Sequence, residues 1–259
     1  MSSPTTGATC SAPPATDAHV LTFLKRGVLS GVVGGLLAGA FGFLLAEPVM
    51  DRAVDLETAR QAAAGEHVSE TFSRHTQHVG FLVATLAVGI ALGVLFGVFY
   101  GLLHRADPER APWQRALHLG GCAFFGAYLV PFLRYPANPP GVGDPGTIDA
   151  RANSYLSALA IGLVGAVLFG LAQRGLTERG WRPSYRQLGL VAVAVLTVAI
   201  TFTLPDNTDP ILVDAGLIWE FRLLSFATSA LLWGGLAVAF GLLGERAALR
   251  EDARNLSPV

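Results

Sequence analysis

Six uncharged apolar runs, at 27–46, 79–103, 116–133, 154–172, 187–204 and 223–243, decide what this chain can become. A helix needs about 20 apolar residues to cross a hydrocarbon core of roughly 30 Å, and in lipid the backbone must satisfy its own hydrogen bonds. Only 14% of the residues are charged, against about 25% in soluble domains. The fold class that follows is all-α: a polytopic membrane protein, a bundle of six transmembrane helices over residues 21–246. A Ser/Thr/Pro-rich tail at 1–20, without a periodic apolar face, is expected to be disordered, and 247–259 to form a short charged tail. Lys25 and Arg26 precede the first run as they would in a signal peptide. That run is longer than a usual signal core, and Leu44 stands where cleavage after Ala46 would need a small residue, so it is read as a retained span.

Basic residues accumulate in cytoplasmic segments and so set orientation. With both termini cytoplasmic, Lys25, Arg26, Arg105, Arg110, Arg115, Arg174, Arg179, Arg182, Arg186, Arg246, Arg250 and Arg254 lie inside. Only Arg52, Arg60, Arg74, Arg134, Arg151 and Arg222 then lie outside, together with most of the acidic residues. The expected location is the inner (cytoplasmic) membrane, crossed several times, with lipid as the main surroundings. A net charge of −1 offers no basic surface for nucleic acid. Cys10 and Cys122 build neither a disulfide framework nor a thiolate metal cage.

Small residues recur every four positions in three spans: Gly27, Gly31, Gly35 and Gly39; Gly89, Gly93, Gly97 and Gly101; Ala158, Gly162, Ala166 and Gly170. Such faces let helix backbones touch where lipid provides no hydrophobic drive for association. They suit a tight bundle or a homo-oligomer and require no pore. Phosphate-loop, nucleophile-elbow and zincin motifs are all lacking, so the chain is not read as an enzyme. His118, the only ionisable side chain well inside a span, reads as hydrogen-bonded structure rather than a proton relay.

Chemistry is concentrated in the outer loops. The first carries Glu47, Asp51, Asp55, Glu57, Glu66 and Glu70 with His67, His75 and His78. Carboxylate and imidazole together suit intermediate divalent metals such as cobalt and nickel, though the same residues also describe a solvated acidic loop. Glu47, Asp51 and Asp55 share one face if the first helix runs on beyond Pro48, and His75 and His78 share a face on the approach to the second span. The second loop reads Tyr135-Pro136-Ala137-Asn138-Pro139-Pro140-Gly141-Val142-Gly143-Asp144-Pro145. Its prolines fix an irregular path, either a vestibule or a lid, on which Asn138 and Asp144 offer oxygen ligands or turn hydrogen bonds. In the third loop Trp219 suits an interface anchor, and Glu220 is expected to pair with Arg134.

Four segments together resemble the CbtA family of cobalt transporter subunits. They are Ala46-Glu47-Pro48-Val49-Met50-Asp51-Arg52-Ala53, Phe72-Ser73-Arg74-His75-Thr76-Gln77, Pro131-Phe132-Leu133-Arg134-Tyr135-Pro136-Ala137-Asn138-Pro139-Pro140 running on to Asp144-Pro145, and Trp219-Glu220-Phe221-Arg222-Leu223. The likeness extends from Phe23 to Gly244. It implies cobalt uptake linked to cobalamin synthesis, alongside a small one-span, histidine-bearing CbtB-type subunit. Relatives carry a denser histidine tract in the first outer loop, where this chain has only Glu66-His67 at mid-loop.

The resulting expectation is a permease subunit with no permanently bound cofactor, taking Co²⁺ or Ni²⁺ as substrate. Its metal site would comprise Glu47, Asp51, His75 and His78, with Asn138 and Asp144 at the rim. A non-transporting scaffold or accessory subunit for a partner protein is the alternative. Lacking a nucleotide-binding motif, the chain would draw its drive from membrane potential, a proton or another subunit.

Overall fold

The computed structural model describes residues 15–65, 73–107 and 109–256, and every element in it is helical. Helix α1 (Ala15–Phe41) runs through a π turn, Gly42–Ala46, into α2 (Glu47–Ala63). After α3 (Arg74–Ala106), α4 (Pro112–Phe124) runs through a second π turn, Phe125–Leu129, into α5 (Val130–Arg134). A 3-10 turn at Pro145–Thr147 opens α6 (Ile148–Glu178), and α7 (Pro183–Thr201) and α8 (Ala215–Leu256) follow. Six stretches are long and apolar enough to cross a membrane: Val20–Ala63, Arg74–Ala106, Pro112–Arg134, Pro145–Glu178, Pro183–Thr201 and Ala215–Arg254.

These stretches contain the six runs expected from the sequence, apart from the end of the fifth. There Phe202, Thr203 and Leu204 leave α7 for turns whose N–H groups reach back only three residues, because Pro205 discourages helix in the residue before it. Residues 1–14 of the tail expected to be disordered lie outside the described residues, while 15–20 belong to α1. The charged segment from 247 continues α8 as helix through Leu256.

Each π turn ends two residues before a proline. Pro48 and Pro131 have no N–H for the carbonyl four residues back, and their rings crowd it. The chain closes a wider ring instead, with the Glu47 N–H donating to the Gly42 carbonyl and the Val130 N–H to that of Phe125. Both helices thus survive their prolines and continue past the apolar run.

Helices α1 and α3 pack antiparallel through the two glycine stripes, backbone against backbone. A Cβ on Gly27, Gly31 or Gly93 would run into the facing helix's carbonyl oxygen, and one on Gly97 would lie 2.6 Å from that of Phe23. Gly34 meets α8 in the same way, with the Leu232 oxygen 2.6 Å from where a Cβ would sit. A buried cluster of Phe96, Tyr100, Ala116, Leu236, Ala237 and Phe240 closes the half of the bundle toward the chain termini. The α6 stripe is only partly used. Gly126 and Gly162 abut one another and Gly165 abuts Thr197 of α7, but Gly170 faces open space. Leu29, Val83, Val164, Leu188 and Val195 turn outward and stay exposed, as lipid contact requires of a multi-pass membrane protein.

The described ends, Ala15 and Leu256, lie on one side of this bundle, and segments 47–65, 73–78, 134–148 and 202–222 gather at the other, here called the far end. There Val49 and Ala53 of α2 are buried against Val213, Leu217 and Ile218. This contact fixes how α2 leaves the bundle, and with it the direction of Glu47 and Asp51.

Candidate metal centre

Because the π turn carries the first helix past Pro48, Glu47 and Asp51 stand one helical turn apart on a continuous face. The opposing side of the site is the start of α3. Ser73 caps it, its hydroxyl accepting the Thr76 N–H at 3.3 Å, so Arg74 and His78 lie one turn apart as well. His78 Nε2 lies 3.2 Å from Glu47 Oε2 and 3.6 Å from Asp51 Oδ1. One ligand atom from each of Glu47, Asp51 and His78 falls within 4.8 Å of the other two. Adjacent ligands around a first-row divalent ion, each at about 2.1 Å, sit roughly 3.0–3.4 Å apart. Closing this trio on such an ion therefore needs side-chain adjustments of well under an ångström for its tightest pair.

Arg74 occupies the middle of the trio. Its Nε donates to Asp51 Oδ1 at 2.9 Å and its Nη2 to the same oxygen. Nη2 also lies 3.3 Å from Glu47 Oε2 and 3.5 Å from His78 Nε2, while Nη1 donates to Gln77. One guanidinium thus neutralises part of the carboxylate charge and touches all three residues of the trio. Glu47 is the most enclosed, its side chain 13% exposed, whereas Asp51 at 42% opens toward water. The Phe43 ring stands edge-on to the His78 imidazole, with centroids 6.0 Å apart.

The other residues expected at the site fall elsewhere. His75 is exposed and takes part in no hydrogen bond or ion pair among the described residues. Asp55 continues the α2 face but is exposed and outside the trio. Glu66, His67 and Glu70 lie outside the described residues. Asn138 Oδ1 accepts from Arg222 Nη2 at 2.7 Å. Asp144 caps the 3-10 turn, Oδ1 accepting the Gly146 N–H at 2.7 Å, and its own N–H donates to Asp209. Both oxygens belong to a second polar region, between α5, α6 and the loop after α7.

The expected Glu220–Arg134 pair does not form. Glu220 binds Arg52 at 2.5 Å, because α2 lies across the start of α8. Arg134 binds Asp206 at 2.7 Å and also donates to the carbonyls of Thr201 and Leu204, tying α5 to the end of α7. In the same region Asp209 Oδ2 accepts from the Thr147 hydroxyl at 2.7 Å and lies 3.4 Å from Arg151 Nε. The Thr147 hydroxyl above all, then the Asp144 N–H and the Arg151 charge, hold the Asp209 carboxyl below its ordinary value against a smaller upward push from burial. Toward the termini, His118 shares a 2.8 Å hydrogen bond with Gln173.

Sequence reasoning missed Arg74. Two signals pointed to it: a serine cap immediately before it, and its place one helical turn ahead of His78.

Compared with known families, residues 20–245 match CbtA, described as a probable cobalt transporter subunit. No curated protein and no solved structure matches the chain.

Proposed function

The chain belongs to the CbtA family of probable cobalt transporter subunits, and from that premise we propose that it is the membrane-spanning permease subunit for uptake of a divalent transition metal, Co²⁺ foremost and Ni²⁺ as its close competitor. The observation that carries this reading is the convergence of Glu47, Asp51 and His78 ligand atoms at the far end of the bundle. In this reading the far end faces outward and both termini are cytoplasmic, in the inner membrane. The Lys and Arg surplus on the terminal side supports that orientation.

Arg74 gives the site its working cycle. Without an ion, its guanidinium offsets half the charge of the two carboxylates and eases their mutual repulsion. A divalent cation brings twice that charge and can bond directly to the imidazole nitrogen, which a guanidinium cannot do. It therefore displaces Arg74 toward Gln77, which already accepts from Nη1. The displaced positive charge stays nearby and weakens retention, a property suited to a site that must release its ion. Selectivity rests on geometry and supply, since affinity alone favours copper. His75, Asn138 and Asp144 have no direct part in this cycle. A one-span, histidine-bearing CbtB-type subunit would supply further ligands, and the imported metal would serve cobalamin synthesis.

The test is radioactive cobalt uptake in cells lacking their own importers, with this chain expressed alone or with a CbtB-type partner and nickel as competitor. Uptake in either case supports the permease reading and shows whether the chain works alone. No uptake in either, with both proteins present in the membrane, overturns it in favour of a scaffold for a partner protein.

A further inference from the structure

The far end holds a second polar site of opposite character. A cavity of about 610 Å³ opens between the outer turns of α5 and α6 and the loops after α5 and α7; Tyr128, Phe132 and Tyr155 line its apolar side, and Arg134, Arg151 and Arg222 its polar side. Asp206 and Asp209 also line it, but each is already bound to an arginine. Arg222 has no carboxylate partner among the described residues; it donates only to the Ala137 carbonyl, at 3.3 Å, and to Asn138 Oδ1. The cavity therefore carries one uncompensated positive charge.

Its aromatic side also holds a polar group without a partner. One buried side-chain polar atom of this cavity, Tyr128 Oη, lacks a partner among the described residues; Arg151 Nε makes no hydrogen bond but faces the Asp209 carboxylate at 3.4 Å. A buried hydroxyl without a partner is costly, and beside the Arg222 charge an anionic acceptor would satisfy it. A metal cation would find the opposite of what it needs, since the Asp206, Asp209 and Asn138 oxygens are all committed to arginines. We propose that this cavity binds a small organic anion of the carboxylate class, its carboxylate on Arg222 and Tyr128 and its carbon body against the aromatic side. Guanidinium forks match carboxylates in geometry, and the volume falls within the roughly 300–1,000 Å³ of small-molecule sites, far more than an inorganic anion fills. The proposal goes beyond metal transport and does not depend on it. A free polycarboxylic acid and the same acid carrying a divalent metal present the same carboxylate edge, and the experiment separates them.

The full chain in nanodiscs of zwitterionic phosphatidylcholine would be titrated calorimetrically with citrate, with a one-to-one cobalt–citrate complex, and with glycerol 3-phosphate. Saturable citrate binding is expected, weakened on the order of tenfold in Arg222→Gln and about threefold in Tyr128→Phe. Citrate binding at least as tight as the complex assigns the site to the free acid, and tighter binding of the complex assigns it to the chelate; both support the proposal. If Arg222→Gln does not fold, Tyr128→Phe decides, since it removes a single oxygen. The proposal is overturned if neither citrate form binds saturably, if binding is unchanged in the variants, or if glycerol 3-phosphate binds more tightly, which would mark a phosphate or lipid-headgroup site. Because the free-citrate arm contains no metal, its failure leaves the transport reading standing, and failed cobalt uptake leaves this one.

Discussion

Two helical hairpins of this bundle each present polar chemistry at the far end, and they are built on opposite plans. In the α1–α3 hairpin the backbones touch along the glycine stripes, so nothing remains between the helices to fill. Its site is accordingly a compact knot of side chains, Glu47, Asp51, Arg74 and His78, gathered where the two helices emerge. The α6–α7 hairpin meets closely at Gly165 and Thr197 and is then tied at its far end by long arginines reaching from α5 and α6. Ties of that length hold the helices and loops apart and leave a cavity. Close backbone packing leaves room only for a knot of side chains, and stapling at a distance leaves room for a cavity.

The largest way to break this contrast is to thicken the tight hairpin. Gly93→Leu places a side chain against the Gly27 carbonyl, where only backbone movement makes room, and should cost about 3 kcal/mol or more. Loss of monodisperse protein in size-exclusion chromatography, or a collapsed melting temperature in detergent, would show it. Gly170→Leu adds the same volume where the structure has open space and should stay within about 0.5 kcal/mol of the parent. Equal behaviour of the two variants would mean the stripes do not hold the hairpin together.

A second prediction addresses the knot itself. Glu47→Gln combined with Asp51→Asn keeps size and an acceptor oxygen on each side chain but removes both charges, leaving Arg74 without a counter-charge in the trio. Cobalt uptake should fall by about 10- to 100-fold while the protein still reaches the membrane, the range seen when a metal ligand's support is lost. The loose hairpin offers a third. Arg134, whose side chain is only 9% exposed, holds two carbonyls and Asp206, so Arg134→Ala should cost about 2 kcal/mol in thermal unfolding. Arg52→Ala removes a still shorter ion pair with Glu220, but both partners are about half exposed, and the loss should stay below about 1 kcal/mol.

How much of this could be read from the chain follows the range of the interactions. The spans were legible because each is a local run, and the stripes because they repeat at helical spacing. The alignment of Glu47 and Asp51 was legible on the condition that helix continue past Pro48, and the π turn meets that condition. Arg74 was not legible as a member of the site, because its contacts join residues 23 and 27 positions apart through a fold-dependent approach of α2 to α3. The partners of Glu220 and Arg134 were misjudged for the same reason: six arginines on one side of a membrane protein can pair in many ways, and only packing chooses. Asn138 and Asp144 were correctly marked as able to offer oxygens or turn hydrogen bonds, and the loop spends them within the protein.

The smallest expected effect is a pH dependence at the end of the α6–α7 hairpin. Asp209 joins α6 to the loop after α7 through Thr147, the Asp144 N–H and Arg151, and these contacts hold its folded carboxyl below the ordinary value. The unfolded chain then takes up the proton first as pH falls, so the stabilisation is complete above the ordinary carboxylate value of about 3.9 and is lost as pH drops through the lowered folded one. The melting temperature in detergent should therefore decline across that acid window, and Asp209→Asn should remove part of the decline. Thr147→Val should remove a larger share of it than Arg151→Gln, because the hydroxyl is the leading cause of the shift and the guanidinium the last. The reverse ranking would mean that long-range charge, rather than a short hydrogen bond, holds the loose hairpin's end in place.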